Sequence, residues 1–81
     1  MKLPRDISGL ELSHRLSKFG YRIVRQTGSH IRLTSNIKFK EHHVTIPHHT
    51  QIKVGTLAGI LDDIASYLGI DRSRLVEELF K

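Results

Sequence analysis

The sequence contains no cysteine, so disulfide staples and thiolate metal sites are both excluded. It also lacks a long apolar run, and a membrane-spanning helix needs roughly 20 such residues. The start, Met1-Lys2-Leu3-Pro4-Arg5-Asp6, has no apolar stretch of the secretory kind, so the expected compartment is the cytoplasm. Glycine-rich phosphate loops of the Walker and Rossmann types are absent, as is a Gly-x-Ser-x-Gly nucleophile elbow. With 81 residues there is no room for separate cofactor and substrate domains. One domain over residues 1–81, without a cofactor, is therefore expected.

Acidic residues are scarce in one half of the chain. Residues 1–40 hold nine Lys or Arg against Asp6 and Glu11, whereas residues 41–81 hold four bases against six acids. A basic half set against a mildly acidic one points to a polyanionic partner, although a merely solvated surface has the same composition.

The patterning predicts an α+β chain. Ser8 with Glu11 three residues on is a capping-box pattern, in which each side chain would satisfy a backbone N–H of the other. Leu12, Leu16 and Phe19 share one face of a helix over Gly9 to Phe19, which Gly20 would stop as a left-handed cap. Arg15 and Lys18 lie off that apolar stripe. Tyr21 to Gln26 and His30 to Thr34 read as a hairpin around Thr27-Gly28-Ser29, where Gly28 is expected to supply a positive φ. His42 to Ile46 is a third strand, ended by Pro47. Val54, Leu57, Ile60, Leu61, Ile64 and Leu68 form the stripe of a second helix, stopped near Gly69. A short helix capped by Asp71 or Ser73 closes the chain. The expected fold is a two-layer α-β-β-β-α sandwich resembling the double-stranded-RNA-binding domain. It has a three-stranded antiparallel sheet with helices on one face and an extra short C-terminal helix. The other sheet face is left open to a partner.

Chemistry concentrates at Thr27-Gly28-Ser29-His30. A tight turn offers backbone N–H groups to an anion, Ser29 adds a hydroxyl, and His30 adds an imidazole, the side-chain type suited to acid–base work near neutral pH. Strand alternation places His30 beside Arg32, opposite Ile31 and Leu33. Cleaving RNA without a metal needs a base for the 2′-hydroxyl and an acid for the leaving oxygen, and His30 suits one of these roles. Taken alone, the tripeptide fits the bland reading, an ordinary exposed histidine at a strand end, better than a catalytic one. Ser29 and His30, as neighbours, are expected to diverge, which argues against a Ser-His-Asp hydrolase. No metal is expected, since in His42-His43 and His48-His49 adjacent rings point to opposite faces. Asp62 and Asp63 read as solvated charge on the outer face of the second helix, and His14 as packing or surface.

Three stretches together resemble the HicA (YcfA-like) toxin family of HicA–HicB toxin–antitoxin systems. They are Gly20-Tyr21 through Gln26-Thr27-Gly28-Ser29-His30, Val44-Thr45-Ile46-Pro47-His48-His49, and Val54-Gly55-Thr56-Leu57-Ala58-Gly59-Ile60-Leu61. The resemblance covers nearly the whole chain. It implies a double-stranded-RNA-binding-like fold, endoribonuclease cleavage of mRNA, a catalytic histidine that maps onto His30, and neutralisation by a HicB-type antitoxin. Asp62-Asp63 depart from the basic or polar residues often found there. The expected RNA contacts are therefore Gly28, Ser29 and Arg32 together with Arg15, Lys18, Arg22 and Arg25, directed at backbone and shape. A non-catalytic RNA-binding module and a protein-interaction domain are the alternatives.

Overall fold

The computed structural model describes residues 3–81; Met1 and Lys2, the latter one of the nine bases counted above, lie outside the described residues. In chain order the elements are α1 (Gly9–Arg15), a 3-10 turn (Leu16–Phe19), β1 (Arg22–Gln26), β2 (His30–Ser35), β3 (His42–Pro47), α2 (Val54–Leu68) and α3 (Arg72–Leu79). The strands form one antiparallel sheet in the order β1-β2-β3. This is the α-β-β-β-α sandwich with an added C-terminal helix that the patterning predicts.

The central strand divides the molecule. Ile31 and Leu33 are fully buried and face the helices, with Ile46 and Val44 opposite them on β3. Leu12 and Leu16 come down from α1, and Leu57, Leu61 and Ile64 from α2, into the same core. Leu75, Val76 and Leu79 of α3 extend it. Burying one such side chain contributes roughly 1.5–3 kcal/mol, so the apolar face of β2 fixes which way its other residues point. Three further core residues, Ile7, Tyr21 and Ile52, lie outside the helices and strands.

The caps work differently from the pattern at two points. Ser8 Oγ accepts the Glu11 N–H at 3.0 Å, but the Glu11 carboxylate turns to Arg15, so only half of the capping box forms. The first helix also tightens into a 3-10 turn after Arg15 rather than running on to Phe19. Gly20 (φ 81°) and Gly69 (φ 72°) are the left-handed stops. Gly28 has no positive φ, which corrects that expectation.

Residues 47–49 hold the two layers together. The Gly9 N–H donates to the His49 carbonyl at 2.9 Å, and α1 approaches so closely that a Cβ on Gly9 would collide with the Pro47 carbonyl oxygen. At the opposite end of the sheet a polar cluster bridges to α2. Tyr21 Oη lies 2.6 Å from His42 Nδ1, His42 Nε2 lies 3.3 Å from Asp63, and the His42 ring stacks on Tyr67 at 4.6 Å. Asp63 and Asp62 are exposed but each has a partner, Asp62 pairing with Arg72 at 3.4 Å. Burial first, then Tyr67 and the Asp63 carboxylate, push the Tyr21 hydroxyl well above its ordinary value.

Gly9→Ala should therefore cost about 1–3 kcal/mol, read as a lower Tm in thermal unfolding. Gly28→Ala, whose Cβ would meet open space, should stay within about 0.5 kcal/mol of wild type. The raised Tyr21 group makes stability complete below the unfolded tyrosine value near ~10 and has it fall as pH rises beyond that, because the folded state holds the proton more tightly. Tyr21→Phe should lose about 1 kcal/mol at neutral pH with the bond to His42, and that deficit should shrink in denaturant titrations taken above pH ~10.

Candidate functional site

The β1–β2 turn is organised by a hydroxyl rather than by a glycine. Thr27 Oγ1 accepts the His30 N–H at 3.0 Å and the Ser29 N–H at 3.3 Å, and the Thr27 N–H donates to the His30 carbonyl at 2.9 Å. Those two amides are thus turned onto Thr27, which corrects the expectation that they face an incoming anion. The strand exit clamps the same turn from the other side: the His48 N–H donates to Ser29 O at 2.9 Å and His48 Nδ1 to Thr27 O at 2.8 Å. His48 holds the turn in place, a role that its sequence setting, one of a histidine pair after the third strand, does not reveal.

His30 opens β2 on the solvent side and pairs across the sheet with Pro47. Its Nδ1 lies 3.0 Å from Ser29 Oγ, so the two side chains meet instead of diverging. Alternation does not apply to them because Ser29 belongs to the turn and only His30 to the strand. The contact leaves Nε2 for a substrate in either polarity. When Nδ1–H donates to Ser29, Nε2 presents a lone pair; when the hydroxyl donates to Nδ1, Nε2 carries the proton.

Next to His30 the sheet places two arginines face to face. A bulge at Val24 shifts the register, so that Ile23 opposes Leu33 but Arg25 opposes Arg32. Without the extra residue Arg25 would share the core-facing side of Ile23; the bulge re-aims it outward. Thr45 completes the row on β3. Arg25, Thr27, Ser29, His30, Arg32 and Thr45 line one open concavity. Like charges directly opposite on a sheet repel, and no ion pair among the described residues involves Arg22, Arg25 or Arg32. The row therefore holds positive charge with no carboxylate partner among the described residues.

The remaining expected contacts separate into two groups. Arg22 opposes Thr34 one row further along the same outer face, with His43 beyond it bonded to Thr34 Oγ1 at 2.8 Å. Gly28 sits in the turn beside the concavity. Arg15 and Lys18 are placed elsewhere, at the carbonyl end of α3. Arg15 Nη1 donates to Leu79 O at 2.8 Å, and Lys18 Nζ to Glu78 O at 2.6 Å, where cations complement the helix dipole. Arg15 also pairs with Glu11 and lies over the Phe80 ring. His42 and His43 do point apart, to Asp63 and to Glu41.

This arrangement coincides with a match to known proteins. A family model described as the HicA toxin of bacterial toxin–antitoxin systems matches residues 10–65, from α1 through most of α2. The chain belongs to the HicA toxin family. It is therefore a toxin of the toxin–antitoxin kind, and its partner kind is an antitoxin. The matched span contains the whole sheet, the Thr27–His30 turn and the His48 clamp. No curated protein and no solved structure matches the chain. No helix among the described residues is long and apolar enough to cross a membrane.

Thr27→Val removes the hydroxyl that accepts two amides while keeping the shape of the side chain. It should speed hydrogen exchange at the Ser29 and His30 amides and lower global stability by about 0.5–1.5 kcal/mol. Exchange followed residue by residue by NMR checks this, with the α2 amides slowed or quickened only in line with the global change.

Proposed function

We propose that this HicA-family toxin is an endoribonuclease that cuts mRNA by acid–base chemistry at His30, requires no metal, and is silenced by a HicB-type antitoxin covering the same face. The observation that carries the reading is the Arg25–Arg32 pair, held in register beside a histidine whose Nδ1 is already bonded.

In the cleavage reaction the 2′-hydroxyl loses its proton and its oxygen bonds to the adjacent phosphorus. The bond from phosphorus to the 5′ oxygen breaks, and that oxygen takes up a proton. Charge builds on the non-bridging oxygens in between. Arg25 and Arg32 are the groups suited to hold that charge, since guanidinium forks match phosphate geometry. His30 Nε2 serves as the base for the first proton or the acid for the last, and the Ser29 hydroxyl, being both donor and acceptor, supports either role. Arg22, further along the face, is suited to a neighbouring phosphate, and Gly28 and Ser29 to close approach of the backbone at the turn. Arg15 and Lys18 contribute to binding in this reading only to the extent that RNA reaches the α3 end. An acidic antitoxin laid on the outer face would neutralise the arginines and exclude the RNA together.

His30→Ala should abolish both mRNA loss and growth arrest on induced expression without the antitoxin, with the purified variant unfolding at the wild-type Tm. A variant that still cleaves RNA removes His30 from the chemistry. RNA bound in a salt-sensitive manner but recovered intact from the wild type would instead identify a non-catalytic RNA-binding module.

A further inference from the structure

The loop joining β2 to β3 carries an aromatic ring that the core does not use. Phe39 is fully exposed, and Ile37 beside it is more than half exposed, although burial is the ordinary fate of both side chains. The loop is not loosely held. The Tyr67 hydroxyl of α2 accepts the Lys38 N–H at 3.0 Å and donates to the Lys40 carbonyl at 2.5 Å, gripping the backbone on both sides of Phe39. Ser35 Oγ accepts the Ile37 N–H and donates to Phe19 O. A fixed anchor thus projects a ring into solvent, between the two cations Lys38 and Lys40.

We propose that Phe39 is a stacking platform for an unpaired nucleobase of the RNA, with Lys38 and Lys40 on the flanking phosphates. The site lies at the far end of β2 from His30, about 17 Å along the strand, and Arg25, Arg32 and Arg22 lie between. An RNA strand following those cations from the concavity reaches the loop several nucleotides from the bond to be cut. Aromatic rings flanked by basic side chains bind single-stranded nucleic acid without demanding a particular base, because every base has a π-face. Preorganisation by Tyr67 lowers the ordering cost of that contact. The nearby carboxylates are turned onto imidazoles, Glu41 to His43 at 3.2 Å and Asp63 to His42 at 3.3 Å. The proposal rests on the reading that the outer face meets RNA and adds a base-contacting subsite remote from the chemistry.

The chain has no tryptophan, so Phe39→Trp creates a single reporter at the site. In a His30→Ala background, where RNA stays intact, a dye-labelled RNA hairpin with an unpaired tail is titrated while RNA anisotropy and tryptophan emission are followed. The expected result is quenching of the introduced indole with the same midpoint as the anisotropy change. Binding should weaken about tenfold with Phe39→Ala and be preserved with Phe39→Trp. RNA binding by anisotropy with the indole unquenched and Phe39→Ala at full affinity overturns the platform and leaves the RNA reading standing. No RNA binding at all overturns both. Quenching only when an antitoxin protein is added, and not with RNA, reassigns the loop to a protein contact and overturns the platform likewise. Phe39 lies outside the core, so each variant's Tm should equal that of its parent.

Discussion

The three-residue backbone segment Pro47–His48–His49 is the constraint on which the rest depends. It accepts the first amide of α1 through His49, leaves no room for a Cβ on Gly9, and grips the β1–β2 turn through two bonds from His48. A helix layer, a strand exit and the turn that carries His30 are thereby held in one frame. In a chain of this size the core leaves little stability to spare, so a turn held in one conformation needs ties of this kind. Thr27 and His48 supply them from within the turn and from outside it.

The two faces of β2 differ in character, one apolar and buried, the other polar and basic. Ile31 and Leu33 are buried against the helices, and that burial turns His30, Arg32 and Thr34 outward. The bulge at Val24 brings Arg25 onto the same side, opposite Arg32. The resulting repulsion is a local cost, sustained by the core behind it, and an anion between the guanidinium groups would relieve it. Positive charge used for structure is kept apart: Arg15 and Lys18 close the carbonyl end of α3 on the helical layer.

Much of this was legible in the residues. The stripe of the first helix, Leu57, Leu61, Ile64 and Leu68 of the second, the three strands and the placing of His30 beside Arg32 follow from periodicity, since burial enforces it. The stops at Gly20 and Gly69 follow from the glycines themselves. Val54, expected on the second stripe, is exposed at the first turn of α2, and Ile60 is only partly buried. Features that depend on non-local contact were not legible. A bulge leaves no mark in an alternating pattern, so Arg25 could be placed outward only once its partner was known. Gly28 suggested a left-handed turn, but the Thr27 hydroxyl offered the backbone another way round. The roles of Arg15 and Lys18 depend on where α3 ends in space, and that of His48 on which turn lies beside the strand exit. Ser29 meets His30 because one residue separates turn from strand, a boundary that sequence reading places only to within a few residues.

Whether RNA meets the outer sheet face or the helical layer is tested most directly by NMR titration of the His30→Ala protein with a short RNA that is not cleaved. Contact with the outer face gives amide and side-chain shifts at Arg22, Arg25, residues 27–32 and Thr45, weakening together as salt is raised, with α1 and α3 unmoved. Shifts centred on Arg15, Lys18 and the end of α3, with the Thr27–Arg32 segment silent, would contradict it.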